Sequence, residues 1–270
     1  ALGYKALNSN TTGKKNTAIG DSVLIVSTTG DLNTGTGYQA LGSNTIGDDN
    51  TASGYRALYK NTSGWNNTAF GCAALENNLT APANTAVGYI ALRYNTTGHD
   101  NTGIGAGALF LNSTGSRNVA VGTSALGYNS SGSGNTAVGH NALYRNTTDR
   151  KNTSAGDSSL YSNTTGYQNT ATGYRALYSN TTGYNNTALG SEALYSNNAS
   201  YNTGLGIRAL YYCQAGSYNT AVGYGAMAAT STGPGHHNTS IGNEALGKIA
   251  GGHNNTSAGS SSLRSLTTAS

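Results

Sequence analysis

The chain has 270 residues and a formal net charge of +4, and only 9% of its residues are charged. So little charge argues against a charge-rich disordered chain, and 2 prolines beside 39 glycines argue against a polyproline or collagen-like chain. The basic residues form no run, so no nucleic-acid partner is expected, and no apolar stretch approaches the roughly 18 residues of a membrane span.

A repeat of 17 residues runs through the whole chain. The pentapeptide N-T-x-x-G, in which Val119 replaces the Thr of one copy, recurs at a spacing of 17 residues in twelve of fourteen steps. With a partial first copy there are sixteen copies and no linker, so residues 1–270 are predicted to form one repetitive domain. Because the chain opens in the middle of a repeat, we expect it to be a segment of a longer fibre.

Numbered from this Asn, the repeat reads N-T-A-V-G-Y-x-A-L-Y-x-N-T-T-G-x-x. Gly at positions 5 and 15 and the N-T-T segment leave too few residues for two helices, and Asn, Thr and Gly are poor helix formers. The pattern predicts a strand, a Gly turn, a second strand through positions 8 to 10 and an N-T-T-G turn. We therefore predict an all-β fold, a parallel β-solenoid of about sixteen coils that each climb about 4.8 Å.

Positions 1 to 5 are predicted to form a strand that ends at a corner. Position 3 is only Ala, Gly or Ser and position 8 is mostly Ala, which predicts close packing, either inside a narrow coil or against another chain. The mostly apolar position 4 is expected to point into the coil. Asn at position 1 can form an amide ladder along the stacked coils. Predicted ladder residues are Asn84, Asn101, Asn135, Asn169 and Asn186. Gly at position 5, present in every copy, is expected to supply a corner. Predicted corner residues are Gly88, Gly105, Gly139, Gly173 and Gly190.

The direction of position 9 is ambiguous in the sequence. It is Leu in fifteen of sixteen copies, yet it shares a strand side with the polar positions 7 and 11. A line of exposed leucines would be unusual for a monomer. Either a corner between positions 5 and 9 turns the leucine into its own coil, or the leucines join a neighbouring chain; the small interior of such a coil favours the seam slightly. This ladder includes Leu92, Leu109, Leu143, Leu177 and Leu194.

Positions 12 to 14 are predicted to form a turn. Asn at position 12 begins an N-x-S/T acceptor in nine copies, which makes glycosylation a hypothesis, although glycans on every coil would crowd at about 5 Å. Candidate acceptors are Asn61, Asn95, Asn112, Asn146, Asn163 and Asn180. Tyrosine outnumbers phenylalanine 19 to 2 and concentrates at positions 6 and 10. We expect these rings to stack between coils, and adhesion to protein or carbohydrate is the functional alternative.

The segments Asn84 to Ala91, N-T-A-V-G-Y-I-A, and Asn186 to Ala193, N-T-A-L-G-S-E-A, resemble the head repeats of trimeric autotransporter adhesins. The repeats are also similar to those of tail-fibre-like surface proteins. The adhesin resemblance implies a left-handed parallel β-roll, a trimer and a place on a cell surface. The family repeat has about fourteen residues and this one has 17, with the extra residues around A-L-Y-x-N-T-T-G.

No catalytic or metal-binding constellation is predicted. The five histidines lie mostly in turns without Cys, Asp or Glu at ligand spacing, and the ten acidic residues form no recurrent pair. Cys72 and Cys213 lie about eight coils apart, too far for a disulfide within one chain, which leaves two isolated thiols or, as the alternative, a disulfide between chains.

The repeat therefore favours a structural or adhesive extracellular fibre without an enzymatic role or cofactor. Its expected partners are copies of itself, as a homotrimer or filament, and a host-surface protein or glycan, at the surface of a cell or virion. The alternative is an ice-binding or glycan-binding β-solenoid that uses stacked Thr at positions 2 and 13 or stacked Tyr.

Overall fold

The structure is a computed structural model and describes residues 1–228, 235–247 and 252–264. It divides into two compact units, Ala1–Asn135 and Thr136–Ser270. The regular elements of the described residues are fifteen strands of three residues, each at positions 2 to 4 of a repeat, and no helix. The first unit contains β1 (Thr17–Ile19), β2 (Thr34–Thr36), β3 (Thr51–Ser53), β4 (Thr68–Phe70), β5 (Thr85–Val87), β6 (Thr102–Ile104) and β7 (Val119–Val121). The second contains β8 (Thr136–Val138), β9 (Thr153–Ala155), β10 (Thr170–Thr172), β11 (Thr187–Leu189), β12 (Thr203–Leu205), β13 (Thr220–Val222), β14 (Thr239–Ile241) and β15 (Thr256–Ala258).

Within each unit the strands pair in parallel and in chain order. Thr85 of β5 lies opposite Thr102 of β6, and Thr170 of β10 lies opposite Thr187 of β11, so equal repeat positions stack. The chain is therefore a parallel β-solenoid with coils of 17 residues, as the repeat predicts. The described residues contain about fifteen coils with a strand, against about sixteen coils predicted. The partial first copy has only a bridge between Leu2 and Ile19 in place of a strand, and it stacks on the next coil through bonds such as that from the Leu7 N–H to the Val23 carbonyl. That residues 1–270 form one undivided domain stays a prediction.

The prediction of a second strand at positions 8 to 10 is wrong, because this segment is a turn. Residues at positions 7 and 9 have left-handed backbone conformations, as at Ile90 with φ of 52° and Leu92 with φ of 51°. The corner before them fits only glycine, because Gly88 has φ of 135° and a Cβ there would lie 2.6 Å from the carbonyl oxygen of Gly105. The predicted glycine corner is therefore present, and a winding turn follows it.

This turn decides where the leucines point. Two left-handed residues within three positions break the strand alternation, so Ala91 and Leu92 both face inward and both are fully buried. The same holds for every leucine of the predicted ladder, namely Leu92, Leu109, Leu143, Leu177 and Leu194. The leucines form the core of their own coils, and the slightly favoured alternative, a seam between chains at position 9, is wrong.

Positions 3 and 8 pack against each other in the core. An unusual side chain at position 8 is therefore accompanied by a matching residue at position 3. Where position 8 is Ser159, position 3 of the same coil is Ser154, and the Ser154 hydroxyl donates to the carbonyl of Ser159. Where position 8 is Val23, position 3 of the next coil is Gly35, and a Cβ on Gly35 would lie 2.4 Å from Cγ1 of Val23. The restriction to small residues at position 3 thus reflects contact within one chain.

The amide ladder at position 1 is confirmed. The Oδ1 atom of Asn84 accepts hydrogen bonds from the backbone N–H of Asn101 at 3.0 Å and from its Nδ2 at 3.1 Å, and the same Nδ2 donates to the carbonyl of Gly115. Asn186 repeats this pattern on Asn169. The equivalent bonds place Asn84, Asn135 and Asn169 in the same ladders. Each buried amide is thereby satisfied by its neighbours, which a buried polar group requires.

Candidate interaction surface

The outer side of the strands forms a surface without charge. Because position 3 is buried, positions 2 and 4 of the same strand point outward. We call these two positions, taken within each unit separately, the strand face of that unit. Position 2 is Thr in fourteen of the fifteen strands, and neither position carries a charged residue in any of them.

The expectation that position 4 points into the coil is therefore wrong. Leu189 is 51% exposed, Phe70 is 44% exposed, and several other large apolar side chains of position 4 are exposed as well. These are Ile19, Val87, Ile104, Val138 and Ile241. Each unit thus carries several exposed aliphatic side chains at position 4, and the first unit also carries the exposed ring of Phe70, beside a row of threonines.

The threonines of position 13 are arranged differently from those of position 2. The Oγ1 atoms of Thr62, Thr96 and Thr164 donate to backbone carbonyl oxygens of the next coil at distances of 2.9 to 3.1 Å. These hydroxyls are therefore used in hydrogen bonds that join the turns of successive coils. Of the two predicted Thr arrays, only the one at position 2 lies on the strand face.

The candidate glycosylation residues are buried. Nδ2 of Asn95 donates to Oδ1 of Asn78 and to the carbonyl oxygen of Gly98, both at 2.8 Å, so both of its hydrogens are used. Asn61, Asn112, Asn163 and Asn180 make the same two bonds, and Nδ2 of Asn146 donates to the carbonyl of Asp149. All six are fully buried. A glycan on any of these nitrogens would displace the ladder, so the glycosylation hypothesis is wrong for these six residues in the folded chain.

The predicted stacking of tyrosines is confirmed. At position 6 the rings of Tyr38 and Tyr55 lie parallel at 5.5 Å, and at position 10 a longer column occupies the second unit. Rings that stack on each other turn their edges outward, so they offer little flat surface to a sugar. Single exposed rings, such as that of Tyr89, which is 60% exposed, offer more of the flat ring surface that a sugar could contact.

The carboxylate of Glu76 is a buried charge that the sequence did not predict. Glu76 occupies position 10, and its carboxylate lies 2.7 Å from Nε of Arg93 and 3.5 Å from a terminal guanidinium nitrogen of Arg56. The hydrogen bond to Glu76 raises the pKa of Arg93. Only the stacking of coils brings these residues together, and the network neutralises a carboxylate that takes the place of a tyrosine.

The two cysteines have different surroundings. Cys213 replaces Asn at position 12, is buried, and its thiol donates to the carbonyl of Gly216 at 3.1 Å. Burial raises its pKa to about 12, so this thiol is unreactive. Cys72 is an exposed free thiol. A disulfide to another chain, an alternative that the sequence leaves open, is therefore excluded for Cys213 in the folded state.

Asp149 marks a break in the regular turn of the second unit. It stands at position 15, where most copies have Gly, and the bond to its carbonyl from Nδ2 of Asn146 is lengthened to 3.3 Å. Burial raises the pKa of Asp149 to about 6, against the opposing effect of Arg150.

Two histidines also form hydrogen bonds between the turns of successive coils. Nδ1 of His236 accepts from the backbone N–H of Ser217, and Nδ1 of His253 accepts from that of His236. In the described residues, no group of three or more His, Cys, Asp or Glu side chains could hold a metal ion. The described part of the chain also has no helix with the length and apolar character that a bilayer crossing requires.

These features define the chain as a repeat β-solenoid with polar ladders inside and an uncharged strand face outside. No family model, no curated protein and no solved structure matches the sequence.

Proposed function

We propose that this chain is a non-catalytic structural or adhesive subunit of an extracellular fibre, and that copies associate in parallel through the strand face. The observation that carries the proposal is the row of outward apolar side chains at position 4, flanked by threonine and free of charge. Recurrent exposed apolar surface of this kind is typical of an association site. The seam expected at position 9 is thus reassigned to position 4.

A second copy of the chain suits this surface because of the period. Two parallel copies have the same coil rise, so contacts made at one coil recur at the next without a loss of register. Burying a valine or isoleucine fully contributes about 1.5–3 kcal/mol, and roughly half of that remains to be gained where the side chain is already half-buried. Several such contacts per unit, without a charge to desolvate, favour association.

The resemblance to trimeric adhesin heads supports three parallel chains and a cell or virion surface. The left-handed winding, the number of chains and a host protein or glycan as ligand stay predictions. The proposal itself needs only self-association through the strand face.

The test is the native mass of the full chain by light scattering over a range of concentrations. We expect an oligomer in the parent, and a monomer with unchanged circular dichroism in the double variant Val87→Lys/Ile104→Lys. Both side chains are exposed, so the lysines should spare the coil core. The matched control is Ile46→Lys, which alters an apolar side chain that is 55% exposed but lies at position 14, off the strand face.

A clean monomer at all concentrations in the parent would refute the proposal. Equal dissociation by the control and the double variant would show that charge in general, and not the strand face, governs assembly.

An ice-binding surface is the second candidate, because one specific observation favours it. Threonine recurs at position 2 in fourteen of fifteen strands, with parallel register between neighbours, so hydroxyl and methyl groups repeat at about the strand spacing of 4.8 Å. Thermal hysteresis of the monomeric protein that is lost in Thr85→Lys/Thr102→Lys would support it. An absence of hysteresis in the parent would exclude it.

A further inference from the structure

The second unit contains a continuous column of tyrosines at position 10, on a different part of the coil from the strand face. Successive ring centroids lie 5.3, 5.2, 5.2 and 5.0 Å apart, and neighbouring planes differ by 17°, 10°, 4° and 4°. All five side chains are partly exposed. We name this set, which consists of Tyr144, Tyr161, Tyr178, Tyr195 and Tyr211, the tyrosine column.

The packing of the column fixes which rings are neighbours. The guanidinium group of Arg175 lies 5.3 Å from the ring centre of Tyr178, and that of Arg145 lies 5.8 Å from the ring centre of Tyr161. Such contacts hold a ring in place by cation–π attraction. Because the rings are nearly parallel and occupy equal repeat positions, corresponding carbons of two neighbours are separated by close to the centroid distance, about 5 Å.

We propose that the tyrosine column is a site of covalent modification, in which neighbouring phenols are coupled to dityrosine by a haem peroxidase with hydrogen peroxide. The column provides what this coupling needs: phenols that a surface oxidant can reach, each with another phenol beside it. The bond would join successive coils of one chain, so it would staple the solenoid along its axis. The inference does not depend on self-association.

The coupling balances as follows. Each of two tyrosines loses one electron and its phenolic proton, and the two resulting radicals form a carbon–carbon bond at ring positions ortho to the oxygens. The hydrogens on those two carbons then move to the oxygens, which restores both phenols. One hydrogen peroxide accepts the two electrons and the two protons and becomes two waters. Rotation of the partly exposed side chains closes the gap between the reacting carbons.

The experiment uses the full chain, a haem peroxidase and hydrogen peroxide, at low protein concentration. The readouts are dityrosine fluorescence and mass spectrometry of tryptic peptides, with fragmentation to locate the coupled residues. Trypsin cleaves after Arg175, so a bond between Tyr161 and Tyr178 joins two peptides with a loss of two hydrogens. We expect this product and a Tyr178–Tyr195 bond, with yields independent of protein dilution.

Tyr178→Phe keeps a stacking ring but removes the phenol, so it should abolish two of the four neighbour pairs of the column and leave the fold intact. The matched control is Tyr174→Phe in the same coil, because Tyr174 lies at position 6 and is 45% exposed. The control should keep both column products.

Three results would overturn the inference: no dityrosine in the parent, coupling confined to single exposed tyrosines such as Tyr174, or unchanged coupling in Tyr178→Phe. Peptide mapping of the parent alone already separates the first two from the expected result, so the test does not depend on the folding of a variant.

Discussion

Gly35→Ala is expected to destabilise the first unit although it introduces the residue most common at position 3. Gly35 lies in the middle of β2, in an ordinary strand conformation, so no backbone strain is expected. The obstacle is Val23, which replaces the usual Ala at position 8 of the preceding coil and is fully buried. The added Cβ would lie 2.4 Å from Cγ1 of Val23.

The expected magnitude follows from that contact. Carbon atoms pack at about 3.5–4.0 Å, so the new methyl group overlaps Val23 by more than 1 Å. Overpacking of a dense core costs about 1–3 kcal/mol, from which the gain of replacing Gly by Ala in a strand, about 0.5–1 kcal/mol, must be subtracted. The difference is a net loss of roughly 0–2.5 kcal/mol, with a central value of about 1 kcal/mol. Val23→Ala alone should cost about 2 kcal/mol, because it removes two buried methyl groups.

The double variant Val23→Ala/Gly35→Ala should be more stable than the sum of the single effects, because it restores the Ala–Ala packing of most coils. The expected coupling energy is about 1–3 kcal/mol. Gly103→Ala is the matched control: its Cβ would lie 3.3 Å from both the carbonyl oxygen of Ala108 and Cδ1 of Leu92. A shift of a few tenths of an ångström relieves these contacts, so the free energy of unfolding should change much less than in Gly35→Ala.

Urea denaturation followed by circular dichroism measures these differences. Repeat proteins can unfold in parts, so hydrogen exchange of amides in the first coils should accompany it. Additive single effects, or a Gly35→Ala chain as stable as Gly103→Ala, would refute the steric explanation of the small residues at position 3.

Three further predictions concern the turns. Cys213→Asn should restore the amide donor to the carbonyl of Gly216 and raise the free energy of unfolding by about 0.5–1.5 kcal/mol in urea denaturation. A lower free energy of unfolding would show that the space around residue 213 does not fit an amide. Lys15→Gly should be more stable than Lys14→Gly by about 1–2 kcal/mol in thermal unfolding, because only Lys15 has a left-handed backbone, with φ of 58°; equal melting temperatures would contradict this. Asp149→Gly should stabilise the chain more at pH 7 than at pH 4. Burial raises the pKa of the folded Asp149 from its ordinary value of 3.8 to about 6, so this aspartate makes the free energy of unfolding fall as pH rises between these values. The same gain at both pH values would argue against a burial cost for the carboxylate.

The sequence by itself determined the period, the parallel stacking and the polar ladder. Equal residues at a fixed spacing can stack only if each repeat is one coil, so the bonds between Asn169 and Asn186 follow from the repeat. The close packing at positions 3 and 8 and the corner at Gly190 also follow from residue type, because small side chains and positive φ angles leave a clear trace in the sequence.

The tertiary structure decided what points inward. Leu189 and Leu194 are equally apolar, yet the first is half-exposed at position 4 and the second is fully buried at position 9. Glu192 and Leu194 adopt φ angles of 57° and 53°, which ordinary propensities disfavour, so alternation along a strand misassigned Leu194. Leu189 was expected inside because it is apolar, whereas its alternation with the buried Ala188 places it outside. The stacking of coils also buries the asparagines of position 12, where Asn95 bonds to Asn78 of the preceding coil. Residue type cannot reveal this, because the coil gains its stability from neighbouring coils that hold each backbone in an otherwise unfavourable conformation.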